Sequence, residues 1–199
     1  MLESDTMDTR GFTLFDTPVG ACGIAWGVGG IVGVQLPEAD EAQTRARVMR
    51  RHAGVAEATP PPKVQRAADG IAALLAGEAR DLWFVVLDLE GVPAFERRVY
   101  AIARTIKPGE TMTYGEIASR IGQAGAARAV GWALGRNPFA IVVPCHRVVA
   151  ANGKAGGFSA SGGKVTKMRL LTIERARTSP APSLFGYLPH AVRPARGAS

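Results

Sequence analysis

A change of pattern at Gly91-Val92-Pro93 does most to limit what this 199-residue chain can fold into. Before it, short apolar runs are separated by glycine and proline turns, which predicts strands at 12–15, 17–20, 22–26, 30–36 and 82–89. After it, the apolar residues from Phe95 to Ile106 follow a helical spacing. We therefore expect an α/β protein with a small sheet-plus-helix domain over 11–92 and a mainly helical domain over 93–176.

The remaining helices are predicted from apolar periodicity and from signals at their ends. They cover residues 41–52, 64–76, 114–121 and 126–135. Thr113 and Glu116 form a capping box at the start of the third of these. The last two, joined by a turn at Gly122 to Gly125, predict a helix-turn-helix, although any helical hairpin with a glycine turn has this spacing. Residues 177–199 contain four prolines and predict a disordered tail.

The charge is divided unevenly at the same boundary. Residues 1–92 carry 8 Lys and Arg against 13 Asp and Glu, whereas residues 93–199 carry 16 against 4. Basic charge concentrated in one part of a chain is typical of a surface that neutralises nucleic-acid phosphates. The alternatives are a solvated basic face without a partner and, more weakly, a membrane-bound one, for which the basic half has no long amphipathic helix.

The composition also limits which cellular compartment and which cofactors we expect for this protein. No apolar run approaches the length of a membrane span, and the first residues are acidic where a signal peptide would be basic, so we expect a soluble, cytoplasmic protein. The two cysteines, Cys22 and Cys145, are too few for a disulfide framework. Cys22 and His52 provide no ligand cluster of the structural-zinc type, so no metal and no cofactor are expected.

The candidate reactive residues lie in the segment Pro144-Cys145-His146-Arg147-Val148. This segment follows the apolar run Ile141 to Val143, which predicts a short buried strand. A cysteine becomes a nucleophile as its thiolate, and a neighbouring imidazole or positive charge favours that form. His146 and Arg147 are neighbours of this kind. The alternative is a buried structural cysteine, which is the commoner role of a free thiol.

Five motifs in this order resemble the O6-alkylguanine-DNA alkyltransferases. They are Gly109-Glu110-Thr111-Met112-Thr113-Tyr114-Gly115-Glu116-Ile117-Ala118, Arg128-Ala129-Val130-Gly131, Asn137-Pro138, Pro144-Cys145-His146-Arg147-Val148 and Leu170-Leu171-Thr172-Ile173-Glu174. The similarity spans about residues 12 to 176 and is strongest from Phe95 onward. Members of this family flip an O6-alkylated guanine out of duplex DNA and transfer the alkyl group irreversibly to their own cysteine.

The resemblance implies a role for each residue of the reaction centre. Cys145 would accept the alkyl group in an SN2 displacement, with guanine as the leaving group. His146 would act through a water as its base, and Glu174 would orient the imidazole. Asn137 would tie down the turn that leads to the cysteine.

The resemblance also assigns residues that bind DNA and form the pocket. Tyr114 would donate a hydrogen bond to the leaving guanine and help to rotate the nucleotide, and Arg128 would fill the gap in the base stack. Ala129 and Gly131 lie on the same helix, which is expected in the minor groove. The pocket would be lined by Tyr114, Val148, Phe158 and Ser159. The implied partner is double-stranded DNA carrying O6-alkylguanine, with O4-alkylthymine as an alternative substrate, and the protein is expected to act as a monomer.

Three positions depart from the family pattern. Ala140 stands where many members have proline, Phe158 where many have tyrosine, and Trp132 where a small residue or glutamine is common. Two other functions stay open: a damage-binding protein that does not react, against which Cys145 argues, and a cysteine hydrolase. A hydrolase usually takes its histidine from a distant segment, and the acidic half offers only His52 for this purpose.

Overall fold

A three-stranded antiparallel sheet begins the fold in the computed structural model, which describes residues 9–151 and 156–176. Its strands are β1 (Gly11–Phe15), β2 (Cys22–Gly27) and β3 (Gly30–Gln35), in the order β1-β2-β3. Gly30 has φ +135°, and a Cβ on it would lie 2.7 Å from the carbonyl oxygen of Val86, so the turn into β3 requires glycine. The predicted strands at 12–15, 22–26 and 30–36 are confirmed to within one residue at each end.

The described residues contain six α-helices, of which two follow the sheet in the N-terminal part of the chain and four lie in the C-terminal part. They are α1 (Glu41–Arg51), α2 (Pro62–Leu75), α3 (Ala94–Arg104), α4 (Tyr114–Arg120), α5 (Ala127–Gly135) and α6 (Lys164–Ile173). The predicted boundaries of the first five agree to within two residues, because caps or prolines define their starts. Helix α6 is not among the predicted helices, since its apolar residues are not confined to one face. The mixed α/β class is thus confirmed.

A second, very short sheet places the candidate reaction centre beside a helix start. Strands β4 (Met112–Thr113) and β5 (Val148–Val149) pair in parallel, with Met112 opposite Val148. A single 3₁₀ turn, Cys145–Arg147, leads directly into β5. Strand β4 leads directly into α4, so the pairing brings the cysteine segment next to the first turn of that helix.

Three predicted strands are wrong. Residues 17–20 form a turn instead, closed by a hydrogen bond from the Gly20 N–H to the Thr17 carbonyl (3.0 Å). Over 82–89 only Leu87 pairs with the sheet, through Ile31. Leu82 and Val85 are buried and joined by a turn hydrogen bond of 3.1 Å, so the apolar residues of this run do not alternate between two faces.

The third predicted strand that is wrong is Ile141 to Val143, which is buried as expected but forms a tight turn. Ile141 has φ 70°, and the Val143 N–H donates to the Phe139 carbonyl at 2.8 Å rather than to a neighbouring strand. A β-branched residue at positive φ is strained and persists only where its surroundings hold it. A short apolar run does not by itself distinguish a strand from a buried turn.

One continuous apolar core joins the sheet to the helical half. It contains residues from both sides of the predicted boundary, including Trp26, Ile71, Val99 and Val143. The Val34 N–H donates to the Pro138 carbonyl at 2.8 Å, which fixes β3 to the segment after α5. Within 9–151 and 156–176, no helix is long and apolar enough to cross a membrane. The predicted tail at 177–199 lies outside the described residues.

Candidate active site

Cys145 lies at the first position of the 3₁₀ turn, directly after Pro144. Its backbone N–H donates to the Val143 carbonyl at 2.8 Å, and its own carbonyl accepts from the Val148 N–H. The residue as a whole is half-buried and packs against the edge of the core. Cys22 differs from it in being fully buried in β2.

Asn137 holds the loop that precedes the cysteine. Its side-chain N–H donates to the Val143 carbonyl at 2.9 Å, and its side-chain oxygen accepts from the Phe139 N–H at 2.9 Å. These two bonds span the strained turn at Ile141. Asn137 therefore ties down the loop that leads to Cys145.

A buried network of three side chains lies next to Cys145. The His146 Nε2 is 2.9 Å from Glu174 Oε1, and both side chains are almost fully buried. Arg147 donates to the same carboxylate twice, from Nε at 2.8 Å and from Nη2 at 2.7 Å, and its Nη1 donates to the Ile106 carbonyl at 2.6 Å. The chain thus brings together residues 28 positions apart, as the predicted contact of His146 and Glu174 requires.

The protonation of this network follows from its charges. Burial alone would raise the pKa of Glu174, but hydrogen bonds from His146 and Arg147 lower it to about 2. The stability that this carboxylate contributes is therefore present above about pH 4.3, its unfolded value, and is lost as the pH falls towards 2. Burial also lowers the pKa of His146, so the imidazole is neutral at neutral pH.

The tautomer of His146 follows from the same contacts. An ionised carboxylate only accepts hydrogen bonds, so Nε2 must carry the proton that faces Glu174. Nδ1 is then the basic nitrogen. It is buried and has no hydrogen-bond partner among the described residues. The site therefore contains a neutral imidazole with a free lone pair, held in orientation by Glu174.

Lys167 is a charged residue of the site that the sequence analysis did not identify. Its side chain is fully buried on α6, and its Nζ donates to the Val148 carbonyl and lies 5.7 Å from the centre of the Tyr114 ring. Burial lowers its pKa to about 8. Lysine is rarely buried without a partner, but its position inward on a helix without an apolar stripe gave no signal in the sequence.

The thiol itself is held mostly protonated. Burial raises the pKa of Cys145, and the Asn137 side chain, the Lys167 ammonium and nearby backbone N–H groups only partly offset this effect. The cation that favours the thiolate is thus Lys167, whereas Arg147, which the sequence suggested, is bound to Glu174. A thiol of this kind needs a base to become a nucleophile.

Tyr114 occupies the first position of α4 and faces the cysteine segment. The capping box at Thr113 and Glu116, with bonds of 3.1 and 2.6 Å, fixes the start of the helix. The Tyr114 hydroxyl lies 3.5 Å from the Gly157 carbonyl. A Cβ on Gly156 would lie 2.8 Å from that hydroxyl, and a Cβ on Gly131 would contact the ring at 3.8 Å. The ring is therefore enclosed by backbone on two sides.

The other residues assigned by resemblance lie around this centre. Arg128 is exposed on the first turn of α5, and Ala129 is half-buried beside it. Val148 is fully buried, and its carbonyl accepts from Lys167. Phe158 packs against the core, whereas Ser159 is exposed in the segment that precedes α6.

Comparison with known proteins gives a consistent result. Residues 94–176 match the family described as 6-O-methylguanine DNA methyltransferase, DNA binding domain. The methylated-DNA–protein-cysteine methyltransferase of Mycolicibacterium paratuberculosis is 49% identical over 119 residues, which cover 60% of this chain and 70% of that protein. The chain belongs to the methylated-DNA–protein-cysteine methyltransferase family. The relative from Methanothermobacter thermautotrophicus is 36% identical over 152 residues, or 76% of this chain and 78% of its own length.

Solved structures extend the methyltransferase similarity to most of the fold. The crystal structure of Mycobacterium tuberculosis O6-methylguanine methyltransferase has a TM-score of 0.66 and 37% identity, covering 87% of this chain and 96% of that one. A structure of the M. tuberculosis protein in complex with DNA has a TM-score of 0.67 and 38% identity, covering 82% and 92%. The likeness to these methyltransferases therefore includes the N-terminal sheet, which lies outside the matched DNA-binding domain.

Proposed function

We propose that this protein repairs duplex DNA by transferring the alkyl group of O6-alkylguanine to its own Cys145. The observation that carries the proposal is that the ionised carboxylate of Glu174 holds a neutral His146, which directly follows the half-buried Cys145 in the chain. Membership of the methyltransferase family gives the substrate class. The M. tuberculosis relative solved in complex with DNA supports DNA as the partner.

The reaction balances without a cofactor. His146 Nδ1 takes the thiol proton through a water molecule, and the sulfur attacks the alkyl carbon as the bond from that carbon to guanine O6 breaks. The electron pair of the broken bond remains on guanine, and the Tyr114 hydroxyl donates a hydrogen bond to that leaving group. The guanine anion takes a proton from water at N1, and His146 returns the thiol proton to water, so the products are a thioether on Cys145 and a restored guanine. Because a thioether sulfur is a poor leaving group, each chain acts once.

We also propose how the DNA is held. Helices α4 and α5 act as a helix-turn-helix within a C-terminal domain over 93–176, with the N-terminal domain over 11–92 packed behind it. Helix α5 lies in the minor groove, where Ala129 and Gly131 let the backbone approach and Arg128 replaces the extruded guanine in the stack. The exposed position of Arg128 on the first turn of α5 supports this role.

The proposed substrate pocket is formed by side chains around Cys145. Tyr114, Val148, Phe158 and Ser159 surround the flipped base, which Lys167 approaches from the core side. Asn137 keeps the thiol in line with the alkyl carbon. We place the protein in the cytoplasm, because the reaction needs both DNA and a compartment that keeps thiols reduced.

The activity is tested by incubating the purified full chain with duplex DNA that contains one O6-methylguanine. Digestion of the DNA to nucleosides should show loss of O6-methylguanine and an equal gain of deoxyguanosine. A protein that only binds damage would retain the modified base in the DNA, and a glycosylase-like activity would release it as a free base. Either result would contradict the proposal.

Arg128→Ala is expected to slow repair within duplex DNA much more than reaction with the free base O6-benzylguanine. Filling the stack matters only when a base has been extruded, and extrusion costs a few kcal/mol. The ratio of the two second-order rate constants, measured for wild type, Arg128→Ala and the exposed control Arg120→Ala, isolates this step. Equal losses on both substrates would show that Arg128 acts in some other way.

A further inference from the structure

Trp132 presents an unexplained aromatic surface on α5. Its side chain is 73% exposed, and of the exposed large apolar residues in the described part of the chain only Val165 is more open. A tryptophan normally buries much of its 150–250 Å² surface. The neighbouring Gly131 faces the Tyr114 ring, and Trp132 lies about 100° further around the helix.

A single exposed apolar residue needs no explanation, but Trp132 belongs to a stripe. Arg128 and Trp132 on α5 and Arg136, which caps its C-terminus, follow one another at intervals of four residues and are all exposed, so they lie on one side of the helix. Arg136 is anchored by a 2.7 Å ion pair to Glu96 on α3, with its side chain still 72% exposed. An aromatic residue between two arginines complements a polyanion with stacked bases better than it complements an acidic or apolar protein surface.

We propose that Trp132 is a second DNA-inserting residue, which stacks its indole on a nucleotide of the bound duplex one helical turn beyond Arg128. This inference rests on the proposed function, because it takes the face of α5 that carries Arg128 as the DNA-binding face. It adds a contact at a position where the family pattern has a smaller side chain.

The geometry requires insertion rather than surface contact. The minor groove is only about 6 Å wide, so a helix that faces it leaves no room for an indole to lie flat between helix and groove floor. Apolar side chains in this position enter between base steps and unstack them. One helical turn is about 5.4 Å, so Trp132 would reach the duplex one to two base steps from Arg128.

The proposed contact has a distinct signature. A stacking residue neutralises no phosphate, so it changes affinity without changing the dependence on salt. Stacking one base on an aromatic side chain is worth about tenfold or more in affinity. An arginine that contacts phosphate would instead change the slope of log affinity against log salt by about 0.9.

The test compares wild type with Trp132→Ala, Trp132→Phe and the matched control Trp83→Ala, which removes an exposed tryptophan outside α5. Affinity for an undamaged duplex is measured across a range of salt concentrations. We expect about a tenfold loss for Trp132→Ala, much less for Trp132→Phe, little change for the control, and parallel salt plots. Affinity of Trp132→Ala within twofold of wild type, or a change of salt slope, would overturn the inference.

Two further readouts separate this inference from the proposed function. In a Trp83→Phe background, DNA should quench the fluorescence of Trp132, because the other tryptophan, Trp26, is buried in the core. Unchanged emission on saturation with DNA would contradict stacking. Alkyl transfer by wild type together with an unaffected Trp132→Ala affinity would leave the function standing and remove the inference. Failure of wild type to transfer any alkyl group would remove the function itself.

Discussion

Cys145→Ser is expected to abolish alkyl transfer, whereas Cys22→Ala leaves it at the wild-type rate. A serine hydroxyl is a far weaker acid than a thiol, and a neutral imidazole cannot generate enough alkoxide to attack an alkyl carbon. Burial raises the pKa of both thiols, but Cys22 is fully buried in β2, whereas Cys145 is half-buried and lies beside His146 and near the Lys167 ammonium. The surroundings of the two thiols therefore decide which one reacts.

The measurement is the rate of methyl transfer from a duplex that carries O6-methylguanine, with thermal unfolding curves to establish that both variants are folded. Transfer by Cys145→Ser at a measurable fraction of the wild-type rate would mean that another residue accepts the alkyl group. Loss of transfer in a folded Cys22→Ala variant would also contradict the assignment of Cys145 as the acceptor.

Glu174→Gln is expected to slow transfer by about 10²–10⁴-fold, which is the usual contribution of general base catalysis. The carboxylate of Glu174 accepts from both His146 and Arg147, whereas a glutamine has one acceptor oxygen and presents donors in place of the other. Since the Arg147 guanidinium can only donate hydrogen bonds, the amide oxygen should turn to it. His146 would then lose the contact that keeps its proton on Nε2.

Glu174→Ala is a less informative variant, because it also lowers the stability of the fold. Removing one partner of a buried ion pair leaves an uncompensated charge, here Arg147, and costs about 3–5 kcal/mol of unfolding free energy. The informative pair is therefore Glu174→Gln and the exposed control Glu110→Gln, compared by transfer rate and by pH profile. A wild-type rate in folded Glu174→Gln would exclude His146 as the base that Glu174 orients.

The sequence predicted most of the scaffold because its signals are local. Glycine and proline mark the turns of the first sheet, and the capping box at Thr113 and Glu116 marks the start of α4 to the residue. The two apolar runs at 82–89 and 141–143 were misassigned because burial of these residues depends on long-range packing. Nothing local reveals that Ile141 adopts a positive φ, which is imposed by the hydrogen bonds of Asn137 and Phe139.

Only part of the reaction centre could be predicted from the sequence, because its other residues are brought together by the fold. Cys145 and His146 are adjacent in sequence and could be found by their residue types alone. Glu174 and Asn137 were identified only by family resemblance, because their distances to the centre depend on the whole fold. Lys167 was missed and Arg147 was given the wrong role, since both assignments depend on which carboxylate or carbonyl each cation reaches in three dimensions.

The most direct test of the account is the intact mass of the protein after incubation with excess duplex DNA that carries O6-methylguanine. We predict a gain of one methyl group per chain, mapped by peptide analysis to Cys145, with repair ending when every chain carries one. The thioether has no means of leaving, and the buried thiol of Cys22 provides no second acceptor. Repair beyond one equivalent per chain, or a methyl group mapped to Cys22, would contradict the central claim.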